Sequence, residues 1–182
     1  WPAVLHGAGY RVPTALHVNG YLTVNGAKMS KSRGTFIQAR TWLDAGLNPD
    51  YLRYYYAGKS SGGVEDLDLN LDDFALRVNA DLVGKFVNIA SRCAGFVSKF
   101  FDGRLAQLSS ADLGIYAEHS ARLHARCRAA YDQRDFGLVL REVMAVADSV
   151  NGLIAERAPW VLAKDESKRA ELHAICSLAL SL

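Results

Sequence analysis

The sequence predicts a mainly α-helical protein, with a short β-rich region near its start and an antiparallel helix bundle over the rest. Three observations support this prediction: β-favouring residues ahead of an Asn25-Gly26 pair, a Gly/Ser-rich break at 59–63, and four later segments with apolar residues at helical spacing. Half of the 182 residues are hydrophobic, which is enough for one good core, or for one core and a portion of another.

The first region, to about residue 34, is predicted to contain strands and a tight turn. Residues 16–24 favour strands, and Asn25-Gly26 is the pair preferred in a type I′ hairpin. From residue 36 to 57 the pattern becomes helical and aromatic, with Pro49 at the start of a helix. We therefore expect a hairpin followed by a short helical subdomain.

The segment 59–63 is the best candidate for a linker, and an acidic extended piece at 65–70 follows it. Because a domain boundary is expected there, the chain divides into residues 1–62 and residues 63–182.

Short connections between the helical segments of the second region favour antiparallel packing. Those segments cover about 71–101, 110–131, 135–157 and 166–182. The apolar stripe of the first comprises Phe74, Val78, Leu82, Phe86, Ile89, Cys93, Phe96 and Phe100, and that of the third comprises Phe136, Val139, Leu140, Val143, Met144, Ala147, Val150 and Ile154.

Several classes of protein are disfavoured by composition. No run of about 18 uncharged apolar residues appears, and residues 1–6 lack the features of a signal peptide. The three cysteines and five histidines show no metal-ligand spacing, so we expect reduced thiols and no metal site. A soluble cytoplasmic protein is expected, without a membrane partner. The net charge of +2 is too small to indicate nucleic-acid binding by itself.

Both ends of the chain suggest a piece of a longer protein. The sequence opens at Trp1 without an initiator methionine, and it stops inside an apolar helical pattern at 175–182 with no stop signal. Nothing in the sequence indicates an oligomeric state.

The segment that points most directly to chemistry is Lys28-Met29-Ser30-Lys31-Ser32, which Arg33 and Gly34 follow. It places three cations and two hydroxyls within seven residues, directly after the predicted hairpin. Such a loop is commonly a solvated surface turn. It can also surround a polyphosphate, where the lysine ammonium groups neutralise charge on the phosphate oxygens while an acyl oxygen attacks the α-phosphate.

The string from Lys28 to Ser32 reproduces the second signature sequence of class I aminoacyl-tRNA synthetases, and the flanking segments 20–27 and 33–36 resemble the methionyl members. The resemblance implies that residues 1–62 form the end of a Rossmann-type α/β catalytic domain with its connecting helical subdomain. It implies activation of methionine by ATP with Mg²⁺, and transfer of methionine to its tRNA. Lys31 would be the principal ligand of the activation transition state, with Lys28 supporting it and Ser30 and Ser32 shaping an ATP-binding loop that includes Met29.

The sequence matches the family pattern only in part outside this loop. Trp1 resembles a tryptophan beside the methionine pocket, where an aromatic face suits a thioether; the alternative is an ordinary core aromatic. Asn19 stands where the family pattern has histidine, and no role is assigned to it. The first signature of the class, an HxGH-type string, is not in this chain, and neither are the zinc-binding cysteines of the family. We therefore expect the chain alone to be inactive in adenylation but able to contact the anticodon.

Asn88 and Arg92 are four residues apart and share a polar helix face with Asp81 and Lys85. On position alone, this face is a solvated one. The string 87–92, however, resembles the anticodon-contacting helix of the methionyl enzymes, which implies hydrogen bonds to the first base of a CAU anticodon.

Pro159 and Trp160 follow the third long helical segment. A tryptophan after proline at a helix junction is commonly a packing anchor. The resemblance instead implies that the indole stacks on an anticodon base, and that residues 63–182 form an all-α anticodon-binding domain, truncated at its end.

Two rival interpretations remain. Another class I synthetase, such as the cysteinyl or leucyl enzyme, shares the signature loop, but Asn88, Arg92 and Trp160 together argue against it. A stand-alone helical tRNA-binding module without catalysis is the second rival.

Overall fold

A computed structural model of the chain describes residues 1–32 and 36–182. As predicted, the fold is mainly helical with one small sheet. The helices are α1 (Pro2–Gly7), α2 (Ala39–Asp44), α3 (Pro49–Lys59), α4 (Leu71–Arg77), α5 (Asn88–Phe100), α6 (Ser110–Gln133), α7 (Phe136–Arg157), α8 (Pro159–Leu162) and α9 (Arg169–Ser181), with a π-helical segment at Val78–Val87 and a 3₁₀ turn at Glu166–Lys168. The strands are β1 (Leu22–Val24), β2 (Ala27–Lys28) and β3 (Leu67–Leu69).

The predicted hairpin is confirmed. Strand β1 pairs antiparallel with β2, and the turn residues Asn25 and Gly26 have φ values of 50° and 72°. Both central residues of a type I′ turn need positive φ, which explains why this pair stands there. The Asp68 carboxylate accepts hydrogen bonds from the Gly26 amide and from the Thr23 hydroxyl, each at 2.7 Å. These bonds, chiefly the one from Gly26, hold the pKa of Asp68 below its ordinary value.

The acidic piece after the predicted linker forms β3, which pairs parallel with β1 and places Leu67 opposite Leu22. The sheet therefore joins segments from both sides of 59–63. Two further bonds hold the segment itself to later residues: the Lys59 ammonium donates to the Asp68 carbonyl at 2.8 Å, and the Gly137 amide donates to the Ser60 carbonyl at 2.8 Å.

The helical pattern predicted at 36–57 is confirmed by α2 and α3. Asn48 caps α3 by accepting from the Asp50 amide, and Pro49 is its first residue, where the missing N–H costs nothing. Trp42 and Tyr55 are buried and both meet Phe74 of α4 edge to face, at centroid distances of 5.1 and 5.6 Å. Aromatic contacts thus fix α2 and α3 against the start of the long helical segment.

The segment predicted as one helix at 71–101 is helical to Phe100 but contains the unpredicted π-helical stretch. At its end, the Asn88 amide donates to the Val83 carbonyl, five residues earlier. A π turn takes more residues than an α turn, so the phase of the apolar stripe shifts along this stretch. As a result, Phe86 was wrongly expected in the buried stripe and is 58% exposed, whereas Val97 is buried.

A hydrophobic core lies between α5, α7, α8 and α9. It contains Cys93, Val97, Val150, Ile154, Leu162, Leu172, Cys176 and Ala179. The predicted apolar stripe of α7 is buried or half-buried along its length. Across the described residues, no helix combines the length and apolar character needed to cross a membrane.

Candidate functional site

The loop predicted to handle ATP begins at the last residue of β2. Lys28 pairs with Thr23 across the hairpin, and the Ser30 and Ser32 hydroxyls are 2.9 Å apart. Met29 is half-buried, whereas Lys31 is exposed. Arg33 and Gly34, which the sequence also placed in this loop, lie outside the described residues. The hairpin, held by Asp68, therefore sets where the loop starts.

Both lysines of the loop lie over aromatic rings. The Lys28 Nζ is 5.3 Å from the centroid of Tyr21, and the Lys31 Nζ is 5.4 Å from that of Phe36. Cation–π contacts of exposed residues are worth about 0.5–1 kcal/mol, so they orient the ammonium groups without holding them strongly. Neither Tyr21 nor Phe36 was singled out from the sequence as a partner of these lysines.

Trp1 precedes α1 and its side chain is 89% exposed. It is therefore not within a core formed by this chain, and an exposed indole is open to contact with another region of the protein or with a ligand.

Within 1–32 and 36–182, no three histidine, cysteine, aspartate or glutamate side chains come together as metal ligands.

The structure brings together the residues predicted to form the second site. Asn88 is the first residue of α5, Arg92 lies one turn later, and the Arg92 guanidinium carbon is 5.9 Å from the centroid of the Trp160 ring. Trp160 is 42% exposed. We call Asn88, Arg92 and Trp160 the α5–α8 surface.

The indole of Trp160 is placed by the junction between α7 and α8. Ala158 joins the two helices in the left-handed conformation, with φ 44° and ψ 63°. That conformation is costly for a residue with a Cβ atom. Pro159, predicted as a member of the anticodon site, is buried. It therefore anchors α8 in the core, and the neighbouring indole is the group that reaches the surface.

The polar face expected to be solvated contacts other helices. The Asp81 carboxylate accepts from the Tyr54 hydroxyl at 2.8 Å, which together with burial, the larger cause, raises the pKa of Tyr54. The Lys85 ammonium lies 2.9 Å from the Asp148 carboxylate of α7. Asp81 and Lys85 are therefore held against α3 and α7, so this part of the face is not freely solvated.

Asn88 has a partner that sequence reasoning missed. Its side-chain nitrogen donates to Oδ1 of Asn151 on α7 at 3.2 Å. Asn151 in turn donates to the carbonyls of Lys85 and Ala147, at 3.0 and 2.9 Å. The only signal in the sequence was that Asn151 is an amide next to Val150 of the apolar stripe of α7. A search for apolar residues at helical spacing does not identify such a residue.

Comparison with known proteins gives a consistent family. The model of the family described as tRNA synthetases class I (M) matches residues 1–94. The chain is 60% identical over 182 residues to the methionine–tRNA ligase of Xanthomonas oryzae pv. oryzae (strain PXO99A), and 62% identical over 183 residues to that of Stenotrophomonas maltophilia (strain K279a). All of this chain is matched in both comparisons, and it spans 26% of the length of each relative.

A solved structure of Mycobacterium tuberculosis methionyl-tRNA synthetase, in complex with methionyl-adenylate, is similar in fold. The TM-score is 0.82 at 27% sequence identity, and the match covers 98% of this chain and 36% of that one. The fold and the sequence of this chain are thus both similar to a portion of a larger protein.

Proposed function

The chain belongs to the class I tRNA synthetases (M), and on that premise we propose that the protein containing it is a methionine–tRNA ligase. Such a protein joins methionine to ATP as an adenylate and then transfers it to the methionine tRNA. The observation that carries the proposal is the α5–α8 surface, where Arg92 lies 5.9 Å from Trp160. The names of the two relatives support it, as does the methionyl-adenylate bound in the similar solved structure from Mycobacterium tuberculosis.

In the first step, a methionine carboxylate oxygen attacks the α-phosphorus of ATP, and the bond from that phosphorus to the leaving pyrophosphate breaks. We assign Lys31 to the phosphate oxygens, where negative charge builds, with Lys28 in support. Preorganised cations near developing charge are an effective source of rate enhancement. Met29, Ser30 and Ser32 would shape the loop around the phosphates.

The charged groups of the loop are cations, which fit phosphate oxygens and not a metal ion. We therefore assign Mg²⁺ no ligand in this chain. Bound to the phosphates of ATP, the ion would supply further neutralisation of their charge.

The α5–α8 surface would read the first base of the CAU anticodon. Arg92 offers only hydrogen-bond donors, which suit the N3 and O2 atoms of cytosine, and the Asn88 oxygen can accept from the cytosine amino group. The Trp160 indole would stack on an anticodon base, an interaction worth about 1–3 kcal/mol. The exposure of the indole and the burial of Pro159 favour this role over that of a packing anchor.

We further propose that residues 1–62 end a Rossmann-type catalytic domain and that residues 63–182 form an anticodon-binding domain. On this division the two sites lie in different domains. The chain alone would contact the anticodon without forming the adenylate.

The test is aminoacylation by the full-length protein of a panel of tRNAs, each offered with methionine, cysteine and leucine in turn. We expect charging of the CAU tRNA with methionine only. Charging with cysteine or leucine would assign the protein to another class I synthetase. Binding of the CAU tRNA with no charging by any amino acid would instead favour a tRNA-binding module without catalysis.

A further inference from the structure

The side-chain amide of Asn151 can adopt only one of its two possible orientations. Both hydrogens of its side-chain nitrogen are used, one toward the Lys85 carbonyl at 3.0 Å and one toward the Ala147 carbonyl at 2.9 Å. A reversed amide would place its oxygen against these two carbonyl oxygens, which is repulsive. The Oδ1 of Asn151 must therefore face Asn88.

The orientation of Asn151 decides the orientation of Asn88. An oxygen at 3.2 Å requires a donor, so Asn88 presents its nitrogen to Asn151. The Asn88 oxygen then takes part in no side-chain hydrogen bond within the described residues. No buried side-chain nitrogen or oxygen of those residues lacks a partner, so this oxygen is accessible to solvent. Asn88 consequently offers an acceptor at the surface, one turn from the donors of Arg92.

The backbone reinforces this arrangement at the end of the π-helical segment. The Asn88 amide closes an i to i+5 bond with Val83, and Asn151 ties the nearby Lys85 carbonyl to α7. The Lys85 ammonium adds an ion pair with Asp148, one turn before Asn151 on α7. The end of the π-helical segment and the first residue of α5 are thus attached to α7, through the Lys85 carbonyl and through the side chains of Lys85 and Asn88.

We infer that Asn151 is a positioning residue for recognition of the first anticodon base, because it fixes the Asn88 amide with its oxygen toward the RNA. The inference rests on the proposed function. Cytosine presents an amino donor where uracil presents the O4 acceptor. An Asn88 oxygen held outward accepts from cytosine and repels uracil, whereas a turned Asn88 amide would donate to uracil. Asn151 therefore sets the preference for cytosine over uracil without touching the base.

The test measures kcat/KM for methionine charging of two tRNAs that differ only in their CAU or UAU anticodon, using the full-length protein. The readout is the ratio of the two values. A general loss of folding or of catalysis would lower both values by the same factor and leave the ratio unchanged. With Asn151→Ala we expect the preference for CAU to fall by about tenfold, within the range of discrimination lost with a specific base contact. Asn88→Ala should lower it as well. The double variant should lose no more than Asn88→Ala alone, because Asn151 acts through Asn88.

A second variant covers the case in which Asn151→Ala does not fold. Asn151→Ser keeps a hydroxyl that can donate to the Ala147 carbonyl four residues back, but it is too short to reach Asn88. It should lose the preference to the same extent. Ser149→Ala is the matched control, since Ser149 lies on the same helix and faces His119 of α6 at 3.4 Å.

An unchanged ratio in Asn151→Ala or Asn151→Ser, beside a lowered ratio in Asn88→Ala, overturns the inference and leaves the proposed function standing. If Asn88→Ala also leaves the ratio unchanged, the anticodon role of the α5–α8 surface fails with it. Additive losses in the double variant would contradict action through Asn88.

Discussion

At the scale of single residues, Lys31 has one ring contact that can be separated from its proposed role with ATP. The contact with Phe36 is worth about 0.5–1 kcal/mol, a factor of no more than about fivefold. Stabilisation of charge in a transition state is worth far more. The two effects therefore predict very different losses in two variants.

We predict that Lys31→Ala in the full-length protein lowers methionine-dependent pyrophosphate exchange by about a hundredfold or more, because the α-phosphate loses its principal cation. Phe36→Leu should lower it by less than about fivefold. Pyrophosphate exchange at saturating ATP and methionine is the measurement. A loss under about threefold in Lys31→Ala would contradict the assignment of this lysine.

Trp160 is the second residue whose role can be isolated. We predict that Trp160→Ala lowers kcat/KM for charging the CAU tRNA by about tenfold, since base stacking is worth about 1–3 kcal/mol. Trp160→Phe keeps an aromatic face and should recover most of the loss. Pyrophosphate exchange, which needs no tRNA, separates lost RNA contact from unfolding. Should both variants unfold, the indole is a packing anchor after all.

The residues proposed to meet a ligand were predictable from the sequence, and the residues that place them were not. Asn88, Arg92 and Trp160 stand in strings that resemble known sites, and the structure brings them together. Ala158 and Asn151 belong to no such string. The left-handed φ of Ala158 and the bonds of Asn151 arise only when α7 meets α8 and the π-helical segment, so a one-dimensional pattern does not contain them.

At the scale of elements, local signals predicted the hairpin and the helix starts, because the residues that decide them are adjacent in the chain. The turn at Asn25-Gly26 and the cap at Asn48 are of this kind. The π-helical segment and the exposure of Phe86 were not predicted. Both depend on how the helical segment from α4 to α5 packs against α3 and α7. The spacing of apolar residues does not predict that packing.

Helices α3 and α4 are joined by a cluster of charged side chains around Asp73. Its carboxylate accepts from the Tyr55 hydroxyl at 2.8 Å and lies within 3.2 Å of the Lys59 ammonium and 3.1 Å of the Arg77 guanidinium. These contacts, chiefly the one from Tyr55, lower the pKa of Asp73 in the folded chain. The cluster therefore links stability to pH.

A lowered pKa in the folded state stabilises the protein above the unfolded pKa, which is about 3.9 for aspartate, and this contribution disappears as the pH falls through the folded value. We predict that Asp73→Asn is less stable than the wild type at neutral pH but loses less stability between about pH 5 and pH 3. Urea unfolding at several pH values measures this. Asp72→Asn, one residue away, leaves the cluster intact and is the control. Parallel pH profiles in wild type and Asp73→Asn would contradict the prediction.

At the scale of the whole molecule, the segments before and after 59–63 are in direct contact. Strand β3 pairs with β1 more than forty residues earlier, and α3 packs on α7 where the Gly137 amide bonds to the Ser60 carbonyl. Pairing across such a separation follows from no local signal, which is why the sequence predicts a linker there and no strand pairing. The contacts imply that these segments are stabilised together, whichever domain each is assigned to.

Gly137 tests this coupling because it lies against the backbone at the end of α3. A Cβ atom at this position would be 3.2 Å from the Gly58 carbonyl oxygen and 3.3 Å from that of Ser60, both in the backbone. Gly137→Ala should therefore push the helices apart and destabilise the protein by about 1–3 kcal/mol. At Gly152 on the same helix nothing lies within 4 Å of an added Cβ. Gly152→Ala is thus the control and should be neutral or stabilising by up to about 1 kcal/mol.

Hydrogen exchange of the intact protein should show lost protection in α3 and α7 alike for Gly137→Ala, because each helix stabilises the other. Loss confined to α7 would mean that the segments on the two sides of 59–63 unfold independently.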